Sequence, residues 1–390
     1  MSAAQTLSPQ AALAESTRRL QAGDAAGAIV LLEAALHGAP RETALHIQLG
    51  VARRVSGDFA GALAAFDTAL ALDPYDFLAL LSKGVALEKL GQPAQAARAY
   101  KAALRVAPSR PQPQFAQPIA HAKAAVAADA ERRRAHLRQA VASLRGQYEA
   151  GELARFDECL DILAGVATPK VQEPAQLLFP RLAPIPFFDD ALFPWMAALE
   201  AQTDVIRGEL EAVLAQDWPA FRPYIQKAAG APLNQWAPLN HNPAWSSFFF
   251  FENGARNDAN CARCPRTTAI LESLPLADQP GFAPTAMFSV LQPKTRIPPH
   301  TGSTNTRVIA HLPLILPEGC SYRVGNEWRQ WRLGKTWVFD DTIEHEARND
   351  SDFVRVLLIF DLWNPLMTQV ERDLVSAMML ADDSYQRGGR

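Results

Sequence analysis

The chain has 390 residues, of which 48% are apolar and 20% charged, and its formal net charge is −3. That length allows two or three domains with a sizeable core. So small a net charge gives no broad electrostatic reason to expect a nucleic acid or an anionic membrane as partner.

The first twenty residues, MSAAQTLSPQAALAESTRRL, have neither the basic start nor the unbroken apolar stretch of a secretory signal. The strongest apolar run, VLLIF at 356–360, is too short to cross a bilayer, so no membrane anchor is expected. Four cysteines (Cys159, Cys261, Cys264 and Cys320) are too sparse for a disulfide framework, and a reducing, cytoplasmic setting is the default.

The first hundred residues repeat. Pro40, Pro74 and Pro108 stand 34 apart, as do Gly23, Gly57 and Gly91, Ala28, Ala62 and Ala96, Ala35, Ala69 and Ala103, and Leu36, Leu70 and Leu104. This period resembles the tetratricopeptide repeat, a helix-turn-helix unit. The glycine sits at the turn, the alanines allow close helix approach, and the proline ends the second helix. We place three units over 7–108, roughly 7–40, 41–74 and 75–108. Stacked repeats of this kind bind a peptide or protein segment, or act as a plain scaffold. Two helices within 109–165 are expected to cap the repeats, and 166–182 reads as a linker.

From 183 to 390 the character changes. A helical segment, ALFPWMAALEAQTDVIRGELEAVLAQ, comes first. Beyond Trp218 the chain becomes rich in Pro, Asn, Phe and Trp. Strands are then expected in AMFSVLQ, TRVIAHLPLIL, CSYRV, EWRQWRL, KTWVFD and FVRVLLIFDLW, which are β-branched and aromatic. Gly325-Asn326 marks a tight hairpin and Asn349-Asp350 a further turn. The expected fold is multidomain, α plus β: a helical solenoid, then a sandwich or jelly roll with a helical layer outside a β core.

Among the eight histidines, His37, His46, His121 and His136 fall in the helical part and His241 in a polar loop, leaving His300, His311 and His345 in the strand region. His300 and His345 lie at strand ends, where a barrel mouth gathers side chains, and imidazole suits iron, zinc, copper or nickel. Arg355 is a charge inside the apolar strand FVRVLLIF and needs an anionic partner. That partner is either a dicarboxylate gripped by the guanidinium fork, or an internal ion pair with Asp340, Asp341 or Glu344. Cys261-x-x-Cys264 supplies only two ligands, too few for a zinc site, so ordinary thiols are expected.

From LFPRLAPIPFFDD to DLWNP the chain resembles the aspartyl/asparaginyl β-hydroxylase family of iron(II)- and 2-oxoglutarate-dependent oxygenases, built on a double-stranded β-helix. The resemblance is carried by AWSSFFFFENGARNDANC, HTGSTNTRVIAHLPL, VFDDTIEHEARND and RVLLIFDLWNP. It implies that His300 and His345 ligate iron, that Arg355 and Ser289 hold the distal carboxylate of 2-oxoglutarate, and that His311 and Trp245 line the co-substrate pocket. Position 302, where most iron oxygenases of this fold carry a carboxylate ligand, is glycine, as the family pattern has it. The eukaryotic relative places an arginine where this chain has Ile309, which bears on substrate recognition. Arg307 is the candidate for meeting the substrate's polar group, or else a solvent-facing strand residue.

The implied function is a dioxygenase that consumes oxygen and 2-oxoglutarate and hydroxylates the β-carbon of Asp or Asn in a protein or peptide held by the repeats. The alternatives are an oxygenase acting on a small amino acid or a lipid acyl chain, and a silent repeat-based binding protein. Oligomeric state is not readable from the sequence.

Overall fold

The computed structural model describes residues 7–216 and 220–388. Residues 1–6, at the start of the stretch read for a secretory signal, and Trp218, where the change of composition is placed, lie outside the described residues. Internal contacts divide the chain into two units, Met1–Thr168 and Pro169–Arg390.

The first unit is built of helix pairs. They are α1 (Pro9–Gln21) with α2 (Ala25–Gly38), α3 (Thr43–Val55) with α4 (Phe59–Leu72), and α5 (Phe77–Lys89) with α6 (Pro93–Val106). The first helix of each pair starts 34 residues after the last, so the sequence period is the structural period. At each turn stands a glycine with positive φ, for example Gly57 at 89°, a conformation that costs glycine little. Asp24 and Asp58 then cap α2 and α4 through the amides of Gly27 and Gly61, each at 2.8 Å. Gly50 and Gly84 explain the close packing: a Cβ on either would run into the ring of Phe66 or Tyr100. Both rings are fully buried, each worth about 2–3 kcal/mol of burial. Beyond the third pair come α7 (Ala116–Ala140), which packs on α6, a short α8 (Ala142–Arg145), and α9 (Ala154–Ala164), which packs on α7.

The second unit opens with α10 (Met196–Glu200) and α11 (Thr203–Gln216), a broken version of the expected helical segment. Eleven described strands follow: β1 (Arg222–Pro223), β2 (Trp245–Glu252), β3 (Ala255–Arg256), β4 (Ala286–Leu291), β5 (Thr295–His300), β6 (Arg307–Ile315), β7 (Cys320–Val324), β8 (Glu327–Arg329), β9 (Trp337–Phe339), β10 (His345–Asn349) and β11 (Arg355–Trp363). The helices α12 (Asp258–Arg263) and α13 (Pro265–Ser273) separate β3 from β4, and α14 (Gln369–Gln386) ends the described chain. The strands form two antiparallel sheets. The larger has the order β1-β2-β4-β11-β6-β9 with β3 beside β2, and the smaller β5-β10-β7-β8.

The larger sheet is buried on both faces, which is why its strands read as largely hydrophobic runs. In β11, Val356, Leu358, Phe360 and Leu362 share a core with Ile206, Leu210 and Val213 of α11. The alternate residues Arg355, Leu357, Ile359 and Asp361 therefore point to the other face. There Leu357 packs with Trp245, Tyr322, Val324 and Phe339 in a second core that includes the smaller sheet. The helical layer outside the sheet is as expected. The hairpin at Gly325-Asn326 also holds, with Val324 opposite Glu327.

Five of the described strands escape the sequence reading: the two-residue β1 and β3, and β2, β5 and β10. β5 contains Pro298 and Pro299, which are tolerated because it is an edge strand. β10, within the polar stretch DDTIEHEARND, is a strand of the smaller sheet and not a loop leaving β9. β2 is the phenylalanine run itself.

The stretch read as a linker, 166–182, is corrected from Lys170 onward. Glu173 N–H donates to the Thr342 carbonyl at 2.8 Å, Ala175 N–H to Gly302 at 2.9 Å, and Gln176 and Leu177 N–H to Ser303 at 2.9 and 3.1 Å. The Gln172 side chain donates to the Asp340 carboxylate at 2.5 Å and accepts from Asn305 at 3.0 Å. Asn305, wholly buried, also exchanges hydrogen bonds with the Phe179 backbone. Backbone pairing and these amides make residues 172–179 a strap over the segments that follow His300 and precede His345.

Candidate active site

Between the sheets lies a cavity of about 380 Å³ whose lining includes His300, His311, His345, Arg307, Arg355 and Trp245. Residues from five strands thus converge. Antiparallel pairing does the decisive work: His300 closes β5, His345 opens β10, and the two are direct partners in the ladder. Their ring centroids are 4.0 Å apart.

Each ring is oriented by its own backbone. His300 Nδ1–H donates to the Pro298 carbonyl at 2.7 Å, and His345 Nδ1–H to the Ile343 carbonyl at 3.1 Å. A carbonyl only accepts, so Nδ1 carries the proton and Nε2 keeps its lone pair. Burial lowers the proton affinity of both rings, and the neighbouring His300 lowers that of His345 further. Both are therefore neutral imidazoles near pH 7, the form that binds metal. Among the described residues no third His, Cys, Asp or Glu completes a ligand group with them.

A carboxylate nevertheless stands beside the pair. A Cβ built on Gly302 would run into the Asp341 carboxylate, which occupies the space a side chain at 302 would fill. Asp341 lines the cavity, and burial, with the charge of Asp340, pushes it up to about 7. The sequence reading treats Asp341 only as a possible partner for Arg355 and misses this placement. The signal was available: a glycine where a side chain is usual implies that something else fills the space.

Arg355 is 1% exposed. Its guanidinium lies 5.1 Å from the Trp331 ring, and its Nε is buried with no acceptor. Two of the internal partners considered for it, Asp340 and Glu344, are engaged elsewhere, and no ion pair to Asp341 forms among the described residues. Asp340 accepts from Thr342 and Gln172, and Glu344 from Lys170 and Arg323. Burial alone pushes the Arg355 guanidinium down to about 10, a strong cost for a charge that lacks an anion.

The other candidates divide. His311 is buried against Tyr322, Phe339 and Trp331 with its Nδ1 unpartnered, and burial, then the Arg355 charge, holds it well below the ordinary histidine range. Trp245 Nε1–H donates to Ser289 Oγ at 3.2 Å. Ser289 shares the inward face of β4 with Met287 but is not among the cavity-lining residues, and its hydroxyl is engaged by that indole. Arg307 is no solvent-facing strand residue: its side chain is 13% exposed and paired to Asp361 at 3.3 Å. Cys261 and Cys264 are buried in the core under the larger sheet, away from this cavity. Trp236 and Tyr224, unremarked in the sequence, complete an aromatic wall: Trp236 meets His300 edge-on at 4.9 Å, and Tyr224 stacks on Trp245 at 4.2 Å.

Residues 200–365 match the family model described as aspartyl/asparaginyl beta-hydroxylase. The C-terminal unit belongs to the aspartyl/asparaginyl β-hydroxylase family. Among its family relatives, an ornithine lipid ester-linked acyl 2-hydroxylase of Rhizobium tropici is 34% identical over 199 residues, 50% of this chain and 66% of that protein. The human aspartyl/asparaginyl beta-hydroxylase is 35% identical over 176 residues, 44% of this chain and 23% of that protein. A mouse aspartate beta-hydroxylase domain-containing protein 2 is 31% identical over 209 residues, 58% of its length. The chain thus spans less than two thirds of these relatives. The Yersinia enterocolitica type III secretion chaperone SycD, in complex with a YopD peptide, aligns over 30% of this chain and 88% of its own, at TM-score 0.28 and 15% identity. No helix among the described residues is long and apolar enough to cross a membrane.

Proposed function

We propose that the C-terminal unit is an iron(II)- and 2-oxoglutarate-dependent hydroxylase on a double-stranded β-helix, and that the repeats hold a polypeptide substrate near it. The observation that carries the reading is one cavity holding two tautomerically fixed, neutral imidazoles and a buried guanidinium with no ion pair among the described residues. Two imidazoles with open positions suit iron in an oxygenase, and a forked guanidinium suits a carboxylate.

His300 and His345 would hold the metal through Nε2, with the Asp341 carboxyl filling the space beside Gly302. Arg355 would grip the distal carboxylate of 2-oxoglutarate, and His311, Trp245 and Ser289 would shape the pocket around it. When bound, metal and co-substrate supply the oxidising power: 2-oxoglutarate and oxygen give succinate, carbon dioxide and one oxygen atom inserted in a C–H bond. The chain's own contribution is orientation and dryness. The backbone carbonyls lock the rings, Trp331 covers the Arg355 guanidinium, and the Trp236–Trp245–Tyr224 wall excludes water beside His300. The family and the repeats favour Asp or Asn in a polypeptide as the target. A second reading moves the target to a lipid acyl chain, favoured by the relative from Rhizobium tropici that is named for that reaction.

The test is direct. Protein prepared without oxygen receives iron(II) and 2-oxoglutarate, then air, and succinate is followed. His345→Ala should abolish metal binding. Arg355→Ala should leave metal binding intact and raise the co-substrate requirement at least thirtyfold. Failure of the native protein to bind either metal or 2-oxoglutarate rejects the proposal in favour of a silent binding protein.

A further inference from the structure

The connection between β8 and β9, residues 330–336, joins the last strand of the smaller sheet to the last strand of the larger. A second cavity, of about 740 Å³, lies beside it, and its lining includes Trp331, Thr336 and Trp337. Trp331 is shared with the first cavity, where its ring lies 5.1 Å from the Arg355 guanidinium; Thr336 and Trp337 do not line that first cavity. The three residues are only 5%, 6% and 9% exposed. Each nevertheless holds a buried polar atom with no partner among the described residues: Trp331 Nε1, Thr336 Oγ1 and Trp337 Nε1. An indole N–H can only donate, and a hydroxyl donates as readily as it accepts. Leaving such groups unpaired is costly. The two indoles stack with centroids 5.4 Å apart, so one ligand can serve both.

The charges around this cavity narrow the choice of acceptor. Arg329 is held by Glu327 at 2.6 Å and lies over the Phe187 ring at 3.9 Å. Lys335 is held by Glu200 at 2.7 Å, and the same carboxylate accepts the Thr336 N–H at 2.8 Å. Among the described residues, Arg332 is the lining cation whose side chain makes no hydrogen bond or ion pair. One unpaired guanidinium neutralises one negative charge. Inorganic phosphate carries more than one at neutral pH, and the surplus would face Glu200 and the exposed Asp190. A carboxylate brings a single charge and two oxygens, enough lone pairs for the guanidinium and the three donors together.

We propose that this second cavity binds the carboxylate of a small organic acid, at a site separate from the one assigned to 2-oxoglutarate. Trp331, Thr336 and Trp337 donate to its oxygens and Arg332 neutralises its charge. The proposal stands apart from the hydroxylase reading, since none of these four residues is given a part in the reaction.

The experiment titrates benzoate into the full chain carrying Arg355→Met, so that the inner guanidinium cannot take the acid, and follows the heat of binding. Benzamide and inorganic phosphate are titrated in the same way. Benzoate should saturate one site and bind at least tenfold more tightly than either of the others, as expected for hydrogen bonds to a charged group. Absence of saturable binding, the result if water alone serves these donors, overturns the proposal. Equal or tighter binding of benzamide or phosphate overturns it as well. Trp337→Phe keeps a ring and removes the N–H, and Thr336→Val removes the hydroxyl. Added singly to the Arg355→Met chain, each should weaken benzoate at least fivefold; an unchanged affinity in both overturns the proposal. Should these buried variants fail to fold, Arg332→Gln, at an exposed position, replaces them; it too should weaken benzoate at least fivefold, and an unchanged affinity overturns the proposal equally. No iron, oxygen or 2-oxoglutarate enters any of these measurements, so their outcome is separable from success or failure of the hydroxylase reading.

Discussion

Replacing Arg355 by Met should make the unliganded protein more stable and the enzyme worse. The guanidinium is 1% exposed, has no ion pair among the described residues, and is pushed by burial from 12.5 down to about 10. At about 1.4 kcal/mol per tenfold change in proton affinity, keeping the charge there costs about 3 kcal/mol. Methionine keeps most of the volume and removes the charge. Imperfect filling and loss of the contact with Trp331 would return about 1–2 kcal/mol of that gain. The expected net is a stabilisation of about 1–2 kcal/mol in urea unfolding of the metal-free, co-substrate-free protein. Affinity for 2-oxoglutarate should fall by about 2–3 kcal/mol, the worth of a charge-assisted carboxylate contact, or roughly thirty- to a hundredfold. Titration calorimetry with the metal-loaded protein reads the second quantity. A variant that is destabilised and still binds 2-oxoglutarate normally would refute the reasoning, since Arg355 would then be a structural residue whose partner is the fold.

Gly302→Ala should cost about 1–3 kcal/mol of stability, because its Cβ meets the Asp341 carboxylate, and should weaken iron binding in a calorimetric titration. Gln172→Ala should cost about 1–2 kcal/mol in urea unfolding by leaving Asp340 and Asn305 each short of a partner; a neutral result would show the strap to be dispensable. Below about pH 6.5 the three cavity histidines should add an acid-destabilising slope to the metal-free protein, opposed by Asp341 and Asp361, whose raised proton affinities let the folded state bind protons there. His300, His311 and His345 have lowered folded-state proton affinities, so the unfolded chain binds more protons as pH falls through the ordinary histidine range. In His345→Ala the slope of stability against pH below 6.5 should flatten measurably.

Much of this was visible in residue order. The 34-residue step of Gly57 and Pro74 reads directly as helix pairs because helical repeats are local, and each unit sees the same neighbours. Four strands of the larger sheet, β4, β6, β9 and β11, were legible because burial on both faces leaves a largely apolar run, against which Arg355 stood out; β2, the phenylalanine run, was missed. In the smaller sheet the β7–β8 hairpin was legible but β5 and β10 were not: β5 carries two prolines, and β10 is polar on one face, where Glu346 and Arg348 point outward to Arg323 and Trp328. Nothing in a separation of 45 residues says that His300 and His345 are ladder partners; that follows from pairing across sequence, which local pattern does not encode. Family resemblance carried their assignment. It could not anticipate the Arg307–Asp361 pair, since Asp361 looks like the polar end of a strand until the sheet brings it opposite Ile309 and beside Arg307.

The strap has a practical corollary. Gln172, Glu173 and Ala175 hydrogen-bond with the very turns that aim both imidazoles, so the C-terminal unit does not begin where its family match begins, at residue 200. A truncation meant to isolate that half must start upstream of Lys170. One starting near residue 183 would strip hydrogen-bond partners from Gly302, Ser303 and Thr342, and its weak iron binding would be mistaken for a lack of activity.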